Sequence, residues 1–258
     1  MKVSLIQMRV SGEKERDIAR AEELVKSAAG SDLIILPEMF CCPYDTKAFP
    51  LYAEPEGGNI TSALSRMARE AGAYLVGGSM PESEDGKIYN TCFVYDPAGK
   101  RIARHRKAHL FDIDVRGGQR FFESETLSEG EDVTVFRTPF GDIGVCVCFD
   151  IRFPDFIAKM RGVTALAVPA AFNMTTGPLH WELLFRARAV DGQMFAFGCA
   201  PARDESAGYV SYANSIAVDP WGRVIARAGA DEAVLAFEAD PDLARAVRMQ
   251  IPVGITDN

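Results

Sequence analysis

The chain has 258 residues, 48% of them hydrophobic, and a formal net charge of -8. Basic residues cluster only in RIARHRK (101–107), so the balance argues against a nucleic-acid partner. No apolar run reaches about 18 residues, which argues against a membrane span, and MKVSLIQMRV runs into GEKERD without the apolar core of a signal peptide.

VSLIQM (3–8) reads as a buried strand. ERDIARAEELVKSAAG (15–30) places Ile18, Ala21, Leu24, Val25 and Ala28 at helical spacing and stops at Gly30. LIILP (33–37) is a short apolar strand. NITSALSRMAREAG (59–72) is a second amphipathic helix, and AYLVGG (73–78) the strand after it. The rhythm returns later. IGVCVCF (143–149) is a strand, FPDFIAKMRG (153–162) a helix and VTALAVPA (163–170) a strand. PLHWELLFRARAVDG (178–192) is a helix, with Thr175, Thr176 and Pro178 as N-terminal chemistry, and QMFAFGCA (193–200) a strand. This alternation predicts an α/β fold with buried strands. No linker rich in Ser, Gly or Pro divides the chain, so a single domain over 1–258 is expected, with an aperiodic tail after about 240.

The halves echo each other. DPAGKRIAR (96–104) resembles DPWGRVIAR (219–227), and each follows a strand-like run, YNTCFVY or YANSIAV. Asp-Pro-x-Gly is turn chemistry, because Pro presets φ and Gly accepts the left-handed conformation. Two hairpins at matching places predict two similar sheets packed on each other with helices outside.

Six cysteines stand at 41, 42, 92, 146, 148 and 199. Several lie in apolar strand-like runs, which predicts free thiols in a reducing cytoplasm. Cys146-Val-Cys148 is a poor metal site, since zinc wants about four ligands and no second Cys-x-Cys exists. Strand alternation puts both thiols on one face, but Cys148 stands at the carboxyl end of its strand, where α/β sheets gather their chemistry. A thiol nucleophile needs a base and charge stabilisation. Glu38 directly follows the strand LIILP, where partial burial raises a carboxyl toward a base's range. Lys107 lies just past the first hairpin and favours a thiolate or an oxyanion. Among the histidines, His105 and His109 flank Lys107, and His180 opens the helix 178–192.

LPEMF around Glu38, RKAHLFDID around Lys107 and CFDIRFP around Cys148 resemble the three signatures of the nitrilase superfamily of carbon–nitrogen hydrolases. The resemblance covers nearly the whole chain. It implies a four-layer α-β-β-α sandwich, a Glu38–Lys107–Cys148 triad and amide hydrolysis through a cysteine thioester. It implies that Glu123 in FFESETLSEG helps to position these groups, and that neither metal nor organic cofactor is needed. Many members carry Tyr where this chain has Phe149, and members form dimers or higher homo-oligomers.

TTGPLHWE (175–182) and PARDE (201–205) resemble one subgroup more closely, the omega-amidases, which act on short dicarboxylic acid monoamides such as 2-oxoglutaramate. That likeness implies a small amide substrate with a carboxylate at its far end, held by Arg152, with Tyr44, Phe149, Phe172 and Thr176 around it. Cys41-Cys42-Pro43 and the arginines Arg116 and Arg120 depart from the subgroup's usual pattern. The alternative is a related amidase acting on N-carbamoyl compounds or deaminated glutathione.

Overall fold

The computed structural model describes residues 1–253. Its first half builds β1 (Lys2–Gln7), α1 (Lys14–Ser27), β2 (Leu33–Ile35), α2 (Phe49–Tyr52), α3 (Asn59–Ala71) and β3 (Tyr74–Val76), then β4 (Met80–Glu84), β5 (Lys87–Tyr95) and β6 (Arg101–Arg106). A small ribbon, β7 (Asp112–Asp114) with β8 (Arg120–Phe122), leads into the second half. There follow β9 (Thr134–Thr138), β10 (Gly141–Val145), α4 (Pro154–Ala158), β11 (Ala165–Pro169) and α5 (Gly177–Gly192). The chain ends with β12 (Phe195–Cys199), β13 (Ile216–Val218), β14 (Val224–Arg227), β15 (Ala233–Glu238) and α6 (Pro241–Gln250).

The two large sheets have matching plans. The first runs β15-β1-β2-β3-β5, with β6 and β4 both paired to β5, and the second runs β9-β10-β11-β12-β13-β14. In each, three parallel strands are flanked by antiparallel neighbours. The two echoed turns close in the same way. Asp96 Oδ1 accepts from Ala98 and Lys100 N–H, and Asp219 Oδ1 accepts from Trp221 and Arg223 N–H. Gly99 and Gly222 both take φ of 78°.

Period-two alternation sets the layers. Val3, Leu5, Leu33, Ile35, Cys92 and Val94 face the second sheet in one shared core. Their neighbours Ile6, Ile34, Leu75 and Phe93 face α1 and α3 on the other side. On the second sheet, Leu166 and Ala196 join a cluster with Phe156 of α4 and Trp181 and Phe185 of α5. The result is the expected α-β-β-α sandwich.

Two expectations change. In place of the aperiodic tail expected after about 240, Pro241–Gln250 forms α6: Asp240 caps it by accepting from Asp242 N–H, Pro241 starts it, and Ala244 and Val247 are buried. The strand carrying Cys146 also ends sooner than alternation suggests. It stops at Val145, and Cys148 opens a short 3-10 turn with φ of +47°. The thiol therefore leaves the strand's alternation altogether.

One close crossing sets the loop after β2. Gly78 has φ of +62°, and a Cβ there would lie 2.2 Å from the Pro37 carbonyl oxygen, the residue before Glu38. Ser79 N–H donates to that oxygen at 3.2 Å, and Ser79 Oγ accepts from Met39 N–H at 3.0 Å. Gly78→Ala is expected to lower stability by about 1–3 kcal/mol, from overpacking and left-handed strain. Urea unfolding checks this, and an unchanged midpoint would show slack in the crossing.

Candidate active site

Four groups converge where strands end. Glu38 follows β2, Lys107 follows β6, Glu123 begins the turn after β8, and Cys148 follows β10. Glu38, Lys107 and Glu123 are fully buried, and Cys148 is 4% exposed. Lys107 Nζ donates to Glu38 Oε1 at 2.9 Å and contacts Glu123 Oε2 at 2.9 Å. It also reaches the Tyr44 hydroxyl at 3.2 Å, and that hydroxyl lies 2.7 Å from Glu123 Oε1 and 3.1 Å from Glu38 Oε1. Phe111 N–H fixes Glu123 Oε2 at 2.7 Å.

Glu38 Oε1 is crowded with donors, while Glu38 Oε2 has no hydrogen-bond partner among the described residues. The Glu38 carboxyl and the Cys148 thiol lie against each other, and the Ala171 backbone N–H faces the thiol. Burial pushes the Glu38 pKa up; Lys107 pulls it down and Glu123 pushes it up again, and the sum is a raised value. Burial and the Glu38 charge also push the Cys148 thiol up. Burial alone would lower Lys107, but Glu123 and Glu38 hold it above its usual range. The arrangement is a raised carboxylate with one free oxygen beside a protonated thiol and a permanent ammonium.

Sequence reasoning missed three contributors. Asn90 of β5, fully buried, donates from Nδ2 to Glu38 Oε1 at 2.8 Å. Asp150 ties the lysine loop to the cysteine turn. Its carboxylate accepts from Ala108 N–H, His109 N–H and Val147 N–H, and from the rings of His105 and His109. Burial would raise Asp150, but the histidine hydrogen bonds dominate and hold it down at about 2. Thus His105 and His109 face this acid. Tyr209 stacks on Tyr44 with centroids 4.5 Å apart and donates its hydroxyl to the Ala171 carbonyl. A polar Asn inside an apolar strand, and an acid two residues past the cysteine, were the available signals.

A cleft of about 710 Å³ opens onto this cluster, with Glu38, Tyr44, Phe121, Ala171 and Tyr209 among its lining residues. Cys148 contacts two of them, Glu38 and Ala171. The other expected substrate contacts lie off this wall. Phe149 packs edge-on against Phe111 and Phe153. Phe172 packs edge-on against Trp181, with the Arg152 guanidinium 4.8 Å from its centroid. Thr176 donates its hydroxyl to Asn173 Oδ1 at 3.0 Å at the start of α5.

A family model described as carbon-nitrogen hydrolase matches residues 2–249. The chain belongs to that family. Among curated carbon–nitrogen hydrolases, Omega-amidase NIT2 of Xenopus tropicalis is 50% identical over 256 residues, covering 98% of this chain and 93% of that protein. Omega-amidase NIT2 of Homo sapiens is 46% identical over 256 residues, with coverage of 98% and 93%. The crystal structure of Saccharomyces cerevisiae Nit3, described as a member of branch 10 of the nitrilase superfamily, superposes with a TM-score of 0.89 at 38% identity. That match covers 98% of this chain and 95% of Nit3.

Asn90→Ala removes a donor that favours the charged form of Glu38. The Glu38 pKa, already raised, should rise further, so the acidic limb of kcat/KM should move to higher pH, by about one unit. A pH–rate profile measures this, and an unmoved limb would sink the role given to Asn90.

Proposed function

We propose that the protein is an omega-amidase-like hydrolase. It cleaves the terminal amide of a short dicarboxylic acid monoamide, 2-oxoglutaramate or 2-oxosuccinamate, to the acid and ammonia. The buried Lys107, shared by Glu38 and Glu123 beside Cys148, carries this reading. The relatives named omega-amidase, at 46–50% identity, support the substrate class.

Glu38 Oε2 is the free oxygen and takes the thiol proton as Cys148 Sγ attacks the amide carbon. Lys107 and the Phe149 N–H stabilise the tetrahedral oxyanion. As the C–N bond breaks, protonated Glu38 returns its proton to the leaving ammonia, and an acyl thioester remains on Cys148. A water then loses its proton to Glu38 and attacks the thioester, and as the C–S bond breaks Glu38 returns that proton to the sulfur, giving the acid and the free thiol. Glu123 holds Lys107 in place. No step calls on a metal or organic cofactor.

Arg152 binds the substrate's far carboxylate. It has no acid within ion-pair distance among the described residues, and its charge is felt at Cys148 and Tyr209. Since Arg152 does not line the open cleft, the substrate must reach past the thiol. Tyr44 meets the substrate amide, and Phe172, Phe149 and Thr176 complete the inner wall. The protein works in the cytoplasm, in keeping with six buried free cysteines. It pairs as a homodimer, supported by the exposed Leu179, Leu183 and Val190 on α5.

Cys148→Ala should abolish ammonia release from 2-oxoglutaramate while the far-UV spectrum and melting temperature stay near wild type; retained turnover would overturn the thioester route. Arg152→Lys keeps a charge but loses the planar fork, and should raise KM for 2-oxoglutaramate about tenfold more than for an uncharged amide. Equal changes would assign Arg152 to the scaffold. Ammonia release from N-carbamoyl-β-alanine exceeding that from both keto-acid amides would favour the N-carbamoyl alternative.

A further inference from the structure

Most paired arginines in this chain meet an acid: Arg104 and Arg106 meet Glu82, Arg188 meets Asp191, and Arg227 meets Glu182. Arg152 meets a histidine. Its Nη1 lies 3.1 Å from His180 Nδ1, and its Nε is buried without a hydrogen-bond partner among the described residues. The faces of Phe172 and Phe149 lie 4.8 and 5.5 Å from the guanidinium carbon. A guanidinium carries donors only. His180 Nδ1 must therefore offer a lone pair, which makes the ring neutral with its proton on Nε2. Burial and the Arg152 charge both hold the His180 pKa below its usual value, in the same direction.

His180 is placed with care. It sits in the first turn of α5, and Thr176, the residue just before the helix, donates its N–H to Asn173 Oδ1 at 2.9 Å. The next residue, Trp181, is buried and donates from Nε1 to the Asn214 carbonyl at 2.7 Å. That anchor fixes the turn and with it the ring beside Arg152. An Asp or Glu here would orient the guanidinium equally well, but it would form an ion pair and cancel the charge. A neutral acceptor orients the fork and leaves the charge intact.

We propose that His180 is a positioning residue that sets the charge preference of the site: it aims Arg152 as a neutral acceptor and leaves the guanidinium free for the substrate's carboxylate. This rests on the carboxylate reading of Arg152 given above.

The test compares KM and kcat for 2-oxoglutaramate and for pentanamide, an uncharged amide of equal carbon count, in four variants. His180→Glu supplies the missing acid and should raise KM for 2-oxoglutaramate about tenfold relative to pentanamide, with kcat moving less than KM. His180→Leu removes the acceptor without adding charge and should shift the same ratio by about threefold. His180→Gln restores a neutral acceptor and should return the ratio to within about twofold of wild type. Arg152→Gln is the reference. If it discriminates between the two amides and the Glu and Leu variants do not, the role of His180 is overturned while the carboxylate reading stands. If Arg152→Gln affects both amides equally, the carboxylate reading itself falls. Should His180→Glu fail to fold, the Leu and Gln pair decides: an unchanged ratio in Leu, or no rescue by Gln, overturns the proposal.

Discussion

A fully buried ammonium organises this site. A lysine charge without water must be neutralised and hydrogen-bonded, or it would cost several kcal/mol. Lys107 meets that demand with two carboxylates and a tyrosine hydroxyl. The consequences propagate outward. Burial raises Glu38 the most; Lys107 opposes that and Glu123 adds to it, so the carboxyl sits above its usual range. The donors from Asn90, Lys107 and Tyr44 all converge on Glu38 Oε1, and Oε2 is left without a donor among the described residues. Glu123 cannot drift, because Phe111 N–H holds its second oxygen. A base with one saturated and one open oxygen follows from satisfying a lysine.

A second buried charge joins the halves of the fold. Lys107 follows β6 of the first sheet, and Cys148 follows β10, the first parallel strand of the second sheet. Asp150 accepts backbone N–H groups from both loops, so the lysine and the thiol are registered through one carboxylate. Its low pKa means that this tie keeps its charge across any ordinary working pH. The repeated architecture matters here: two similar sheets bring matching strand ends together, and the site forms where those ends meet.

Much of this was legible in the chain itself. The strand–helix rhythm and the paired Asp-Pro-x-Gly turns predicted the two sheets, because hydrophobic period and turn chemistry are local properties. Glu38, Lys107 and Cys148 were visible because each ends a strand inside a distinctive short motif, and the structure brings them together with Glu123. Asn90 was not visible. It lies mid-strand in KIYNTCFVY, where only the partner across the sheet reveals what its amide faces. Asp150 was hidden for a related reason: its donors come from residues about 40 positions away. The 3-10 turn at Cys148 broke the strand's alternation, and a positive φ at a non-glycine residue has no sequence signature. The helix after 240 was missed because its buried face rests on little more than Ala244 and Val247, too short a period to read.

The two cations of the site are treated in opposite ways, and the difference bears on selectivity. Lys107 already meets two acids belonging to the protein. Arg152 lies off the open cleft, its pKa is lowered by burial, and no acid among the described residues pairs with it. A chain with a formal net charge of -8 repels an anion at long range. Solvent and salt screen that repulsion beyond roughly 10 Å, whereas a desolvated guanidinium acts undiminished at contact. Under the proposed role of Arg152, an anionic amide is selected by what the protein withholds from that guanidinium. The neutral ring of His180 supplies orientation at the one place where an acid would have supplied both orientation and cancellation.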